Sequence, residues 1–260
     1  GARDGLAAYR ERIVEFMRKA GREAKVHTGW ANIDATYEDA TRAFVEAILD
    51  DTRANPFLDD VAVAVAPVAW IGLLNSLATT VLKHTLPGVP DCYQGNETWD
   101  FSLVDPDNRR PVDFAMRREM LASLNDAHAA DVFARLHDGR AKMFAMWKLL
   151  HARREREALF AEGRFVPLTV RGSRAAHAVA FARRHASGTM IVIVPRLMAR
   201  LGITPPNLPC GDLWGDTVVE APFVQGALVD LFTSSEHRAT EGRFAVARLL
   251  AVAPFAVLLA

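Results

Sequence analysis

Between residues 61 and 111 three patterns follow one another, and their order limits the folds open to this chain. Residues 61–66 alternate Val and Ala, which alone suggests a strand. The apolar positions then continue at three- and four-residue steps through Trp70, Ile71, Leu74, Ala78, Val81 and Leu82, so the spacing predicts a helix. Pro67 is expected to kink that helix or to begin a new one. Pro87-Gly88 stops it. A short run over residues 89–94, between Gly88 and Gly95, fits a buried strand that ends in a loop. The polar stretch that follows, residues 95–111, exceeds the ~12–15 residues beyond which loops are usually functional or disordered.

On either side of this stretch the chain reads as helical. Residues 6–25 place Leu6, Tyr9, Ile13, Phe16, Met17 and Ala20 at helical spacing among Arg, Glu and Lys. Residues 27–34 break that period and form a loop carrying Trp30, before a second helix over residues 35–50. Further helices are expected over residues 112–125 and 131–156. Near Gly163 the character changes. Strand-like runs follow at residues 165–170, 178–183, 190–194 and 218–220, then an apolar stretch over residues 244–259 interrupted by Pro254. A boundary is therefore expected at residues 158–166, with a mostly helical part over residues 1–160 and a β domain over residues 161–260. The chain opens on Gly1 and passes directly into an amphipathic pattern, so it is expected to be an excised piece.

Charge narrows the function classes. The 260 residues carry 31 basic and 31 acidic side chains, so no global field points to nucleic acid or to an anionic membrane. No uninterrupted apolar run reaches the ~18–20 residues of a membrane span, and neither kind of partner is expected. The two cysteines, Cys92 and Cys210, lack metal-ligand spacing and read as free thiols of a reducing cytoplasm. No zinc or calcium spacing occurs, and no metal or cofactor is expected.

The most informative stretch runs Pro87-Gly-Val-Pro-Asp-Cys-Tyr-Gln-Gly-Asn-Glu97-Thr-Trp-Asp100. Its framework of Gly88, Pro90, Tyr93, Gly95 and Glu97 resembles the eighth-strand motif of the α-amylase superfamily of (β/α)8 barrels. Such a strand is short, buried on both faces, and delivers side chains to its C-terminal end, where these barrels keep their sites. Gly95 would let the backbone turn there. Downstream, Phe101-Ser-Leu-Val-Asp-Pro-Asp-Asn-Arg-Arg-Pro-Val-Asp-Phe114 is similar to the segment after this strand in maltooligosyltrehalose synthases. Upstream, Arg22-Glu-Ala-Lys-Val-His-Thr-Gly-Trp30 and Asn75-Ser-Leu-Ala78 resemble other segments of that family, with Gly29 where the family usually has Ser. The resemblance is strongest over residues 23–114 and weaker in the β part, where residues 179–185 leading into Val194-Pro-Arg196 match best.

The resemblance implies an α+β fold: the C-terminal portion of a (β/α)8 (TIM) barrel with inserted helices, followed by an all-β, sandwich-like domain. It implies a much longer cytoplasmic enzyme. That enzyme would isomerise the reducing-end α-1,4 bond of a maltooligosaccharide to an α,α-1,1 bond by intramolecular transglycosylation. Retaining chemistry of this kind needs a carboxylate nucleophile and an acid/base. In the family these acids lie on strands four, five and seven, the last after a His in a Thr-His-Asp-Thr-Lys-like motif. No His-Asp-Thr occurs here, and His137-Asp138 precedes Gly139 in a helical context. The chain is therefore expected to hold no catalytic acid and to be inactive alone. Its partners would be the substrate and the N-terminal remainder of the enzyme. A barrel strand without neighbours also predicts self-association.

What remains would be the rim of the site. The resemblance makes Tyr93, Gln94, Glu97, Asp105, Asn108 and Arg109 candidates for building or bracing it. Lys25, His27 and Trp30 would cap the reducing-end sugar, the indole stacking on a glucose ring while the lid excludes water.

Plainer readings stand beside these. The segment 105–110 also reads as a solvated loop held by Asx turns and ion pairs. Tyr93 also reads as a packed core residue. Lys25 and His27 equally suit cations at a helix C-terminus. Trp70, Trp147 and Trp214 sit in apolar patterns and read as core. Two other classes remain open: another amylase-superfamily glycosidase or glucosyltransferase, and a non-catalytic carbohydrate-binding protein.

Overall fold

The computed structural model describes residues 2–260, with side chains from Gly5 onward. The chain mixes helices with antiparallel sheets and divides into two compact units. One comprises the chain up to Ala66 together with Phe101–Val112; the other comprises Pro67–Asp100 and Asp113–Ala260.

In the first unit, α1 (Ala2–Ala24) and α2 (Ala35–Ile48) pack through Val14, Val45 and Leu49. Asp34 caps α2, its carboxylate accepting from the Tyr37 amide at 3.0 Å. So small an apolar core does little to hold two helices, and ion pairs supplement it.

Helix α3 (Pro56–Thr85) begins in the first unit and runs unbroken through Pro67 into the second. Pro67 therefore neither ends a helix nor starts one, although it removes one ladder hydrogen bond. The two halves of α3 differ. Leu58 packs against the small core, while Val61, Val63 and Val65 are exposed, Val63 to 77%. From Trp70 onward Leu73, Leu74, Leu77, Ala78 and Val81 are buried. By length and composition alone α3 could cross a membrane, although polar residues and Pro67 interrupt its apolar run. Its second half is a core helix of the second unit.

Residues 89–94 correct the strand expectation. They make no strand pairing among the described residues, and Val89 is 96% exposed. A strand buried on both faces exists only with neighbours to bond and cover it. None of the described strands lies beside this one.

The second unit continues with α4 (Phe114–Ala122), α5 (Ala129–Phe133), α6 (Arg140–Glu155) and α7 (Glu157–Glu162). The strands and one short helix follow: β1 (Arg164–Pro167), β2 (Val170–Arg171), β3 (Ala178–His185), β4 (Gly188–Pro195), β5 (Val218–Glu220), β6 (Ala227–Asp230), β7 (Glu236–Arg238), β8 (Arg243–Ala245), α8 (Val246–Leu249) and β9 (Ala256–Leu259). Six form an antiparallel sheet in the order β1-β3-β4-β9-β6-β7, and three form a second in the order β2-β5-β8. Strand β4 is central, and Met190–Val194 are buried on both faces, which explains its unbroken apolar run.

The change from helix to strand falls at Gly163. It is not a break in the packing. Phe133 of α5 meets Phe255 edge-on at 5.2 Å, and Phe232 meets Phe255 at 4.9 Å, so helices and sheet share one core. Arg183 of β3 joins the same parts. Fully buried, it donates to the carbonyls of Thr85, Phe160 and Gly163 at 3.1, 2.8 and 2.8 Å.

Candidate functional site

The nine candidate residues fall in two groups, one in each compact unit. In the first unit, Lys25, His27 and Trp30 share the loop between α1 and α2. Lys25 sits just past α1 with φ +56°, a left-handed turn that ends the helix. His27 is exposed, and its ring lies on Tyr37 at 4.9 Å. Trp30 is 58% exposed, and the Arg22 guanidinium lies 5.1 Å from its ring centre.

Arg22 is itself fixed. Its Nε and Nη2 donate to the two Glu38 oxygens at 2.8 and 2.7 Å, a bidentate pair. Buried Thr28 adds a hydrogen bond to Glu38 at 2.8 Å and accepts from the Asp34 amide at 3.1 Å. The Arg22 hydrogen bonds, helped by Thr28, hold the Glu38 carboxyl at about 2, well below the usual range. Trp30 thus has an ordered base on one face while much of the ring stays open to solvent. A cavity of about 190 Å³ between α1 and α2 is lined by Gly21, Thr28, Tyr37 and Glu38.

Asp105, Asn108 and Arg109 lie on the loop 101–112 of the same unit. The Asp105 carboxylate accepts from Lys19 Nζ at 2.8 Å and from Arg109 at 3.1 Å. The Lys19 hydrogen bond is the main reason that its carboxyl titrates below the usual range. Asp107, which the sequence did not mark as a site residue, is the firmer anchor. Arg12 grips both its oxygens at 2.9 and 2.8 Å, and the Leu103 amide donates to it at 2.7 Å. Two long-range clamps therefore hold this loop against α1. Asn108 and Arg109 are exposed on its surface. The ion-pair reading of the loop is correct for Asp105 and Arg109, and it leaves Asn108 as an outward group.

The second unit holds Tyr93, Gln94 and Glu97. Tyr93 is 61% exposed, which overturns its reading as a packed core residue. Gln94 is exposed beside it, and the chain then turns at Gly95 with φ +93°. Glu97 accepts from Arg117 Nε of α4 at 3.0 Å. Arg117 also donates to the Gly95 carbonyl at 2.9 Å and to Thr98 Oγ1 at 3.3 Å, so one side chain braces the whole turn. Lys142 of α6 donates to the Thr98 carbonyl at 3.1 Å, and burial pushes its ammonium down from its ordinary value. Glu97 is thus a brace, whereas Tyr93 and Gln94 project outward. Beside Glu97 an apolar groove is lined by Phe114, Leu121, Met143, Trp147 and Leu150. Trp70 and Trp214 are core, as expected, with their indole N–H groups bonded to the Asn207 and Pro209 carbonyls at 2.8 Å. Trp147 is only partly buried, on the wall of that groove.

Among the described residues no group of three or more His, Cys, Asp or Glu side chains is placed to hold a metal. The described polar groups can stack on a sugar ring, bond hydroxyls and brace loops.

No protein-family model matches the chain. Over 89% of its length it is 35% identical to a protein of Mycobacterium tuberculosis described as a putative maltooligosyl trehalose synthase. It spans only 26% of that relative. Among solved structures it superposes on maltooligosyltrehalose synthase from Arthrobacter ramosus with a TM-score of 0.77 and 35% identity, covering 96% of this chain and 30% of that one. A second solved maltooligosyl trehalose synthase gives 0.70 at 26% identity, covering 97% of this chain and 30% of that one. These neighbours carry the name of the family that residues 22–30 and 101–114 resemble. Over nearly its whole length the chain corresponds, in sequence and in fold, to one part of the maltooligosyltrehalose synthases.

Proposed function

We propose that this chain supplies part of the active-site rim, and much of the supporting structure, of a maltooligosyltrehalose synthase three to four times its length. That enzyme would convert the reducing-end α-1,4 bond of a maltooligosaccharide into an α,α-1,1 bond without releasing the sugar. The catalytic carboxylates would come from the rest of the enzyme, and this chain alone would be inactive. Residues 1–160 would form the last part of the barrel with its inserted helices, and residues 161–260 a β domain against it. A cytoplasmic location rests on the same resemblance.

The observation that carries this reading is the built platform at Trp30. An exposed indole is costly to leave in water and is here locked from below by Arg22, Glu38 and Thr28. Such a surface suits the apolar face of a glucose ring, with Lys25 and His27 placed on the same loop to bond hydroxyls. Tyr93 and Gln94 would face the substrate from their own turn, with Glu97 holding that turn in place. Asp105 and Arg109 would act by fixing the loop that presents Asn108. Closing this rim over the sugar would keep water from the glycosyl-enzyme, since water there yields hydrolysis in place of isomerisation.

The exposed Val61, Val63 and Val65 on α3 and the unpaired residues 89–94 would be covered by the rest of the enzyme. A helix apolar on all sides is one that other structure buries.

Trp30→Ala in the longer enzyme tests the lid. The expected result is a larger share of free glucose at similar total turnover of maltopentaose. An unchanged product ratio would remove Trp30 from the site.

A further inference from the structure

Helix α1 holds two loops that are far apart in the sequence. Arg12 and Lys19 are seven residues apart, almost two helical turns, so both lie on one stripe of α1. Both reach the loop 101–112. Arg12 Nε and Nη2 donate to the two Asp107 oxygens at 2.9 and 2.8 Å, and Nη2 donates again to the Phe101 carbonyl at 2.9 Å. Lys19 Nζ donates to Asp105 at 2.8 Å. In the next turn of the same helix, Arg22 pairs with Glu38 and lies over the Trp30 ring.

The Arg12–Asp107 contact differs from an exposed ion pair, which holds little. The Asp107 side chain is only 9% exposed and also accepts from the Leu103 amide at 2.7 Å. The Arg12 hydrogen bond is the main reason that its carboxyl titrates below the usual range. Asp107 opens the single helical turn Asp107–Arg109, whose middle residue is Asn108. Arg110 donates to the Asp107 carbonyl at 2.9 Å and closes that turn. Anchoring Asp107 therefore places the backbone of Asn108. From Arg12 to Arg22 the helix rises about 15 Å, and its internal hydrogen bonds keep that length fixed.

We propose that Arg12 and Lys19 are positioning residues that, through α1, set Asn108 at a fixed distance from Trp30. Their role in the reaction rests on the reading of Trp30 and Asn108 as rim groups. Neither cation needs to touch the sugar. A rim that excludes water depends on its groups closing together, and a displacement of about 1 Å at one of them is enough to slow the reaction severely. Arg12 and Lys19 remove that freedom by tying both loops to one helix.

The seating is tested on the full chain carrying Cys92→Ser and Cys210→Ala, with spin labels attached at Asn32→Cys and Asn108→Cys. Double electron–electron resonance should give one narrow distance, broadened by Arg12→Met while the circular dichroism stays that of the parent. A broad distribution in the parent, or one that Arg12→Met leaves unchanged, overturns the proposal. If Arg12→Met does not fold, Asp107→Asn, which keeps the shape of its side chain, takes its place. In the longer enzyme acting on maltopentaose, Arg12→Met should raise the share of free glucose about threefold. Adding Trp30→Ala should raise it little further, because both changes break the same closure. Two effects that multiply would separate the loops and overturn the coupling. If Trp30→Ala alone leaves the product ratio unchanged, the rim reading fails, and the spin-label distances still decide the seating.

Discussion

The Arg22 guanidinium lies 5.1 Å from the centre of the Trp30 ring while Glu38 grips its nitrogens at 2.8 and 2.7 Å. One arginine therefore couples an exposed aromatic surface to the helix behind it. The stacking is indirect evidence for a sugar platform, and the ion pair makes the loop titratable.

Glu38 is held at about 2 in the folded chain, below the ordinary glutamate value of 4.5. A lowered carboxyl stabilises the fold above its unfolded value and loses that contribution as pH falls through the folded value. The Trp30 loop should thus loosen between about 4.5 and about 2. The difference in fluorescence between the parent and Trp30→Phe, followed through that range, reads it. Glu38→Gln should show the loosened signal already at pH 7.

Gly139 tests how tightly α6 meets the turn that carries Glu97. At φ +82°, a Cβ there would lie 2.9 Å from Thr98 Cβ. Gly202 has nearly the same angle, φ +81°, and open space around it. Both alanine variants carry the backbone cost of about 1 kcal/mol, but only Gly139→Ala adds the overlap. Urea unfolding should place Gly139→Ala about 1–3 kcal/mol below Gly202→Ala. Equal stabilities would mean that the turn gives way freely.

Arg183→Met should cost about 3 kcal/mol or more, because three buried carbonyls lose their donor. Arg171 makes an exposed ion pair with Glu220 at 2.8 Å, and Arg171→Met should cost no more than about 1 kcal/mol. Thermal or denaturant unfolding of the two variants separates a buried clamp from a surface pair.

The exposed valines of α3 should make this chain self-associate. Sedimentation is expected to show oligomers that grow with concentration and are weakened by Val61→Lys and Val65→Lys. A monodisperse monomer at high concentration would contradict this.

Helix α3 was legible because the three- and four-residue steps from Trp70 to Leu82 outweigh the Val-Ala alternation at its start. The strand at residues 89–94 was misread for the opposite reason. A strand is defined by partners, and Val89 has none among the described residues. Strands β6 and β7 gave no usable pattern, being four and three residues long with alternating exposure. Trp30, Tyr93 and Gln94 were singled out through the resemblance, and all three are exposed. Their supports were not found. Arg12 and Asp107 stand 95 residues apart, and Glu97 and Arg117 stand 20 apart, distances at which no local pattern links two charges.

The central claim is tested most directly by incubating the longer enzyme that carries this chain with maltopentaose and following reducing ends and free glucose together. The expected result is loss of reducing ends with little glucose. Abundant glucose or shorter maltooligosaccharides would make it a hydrolase, and no change in either would contradict the carbohydrate reading altogether.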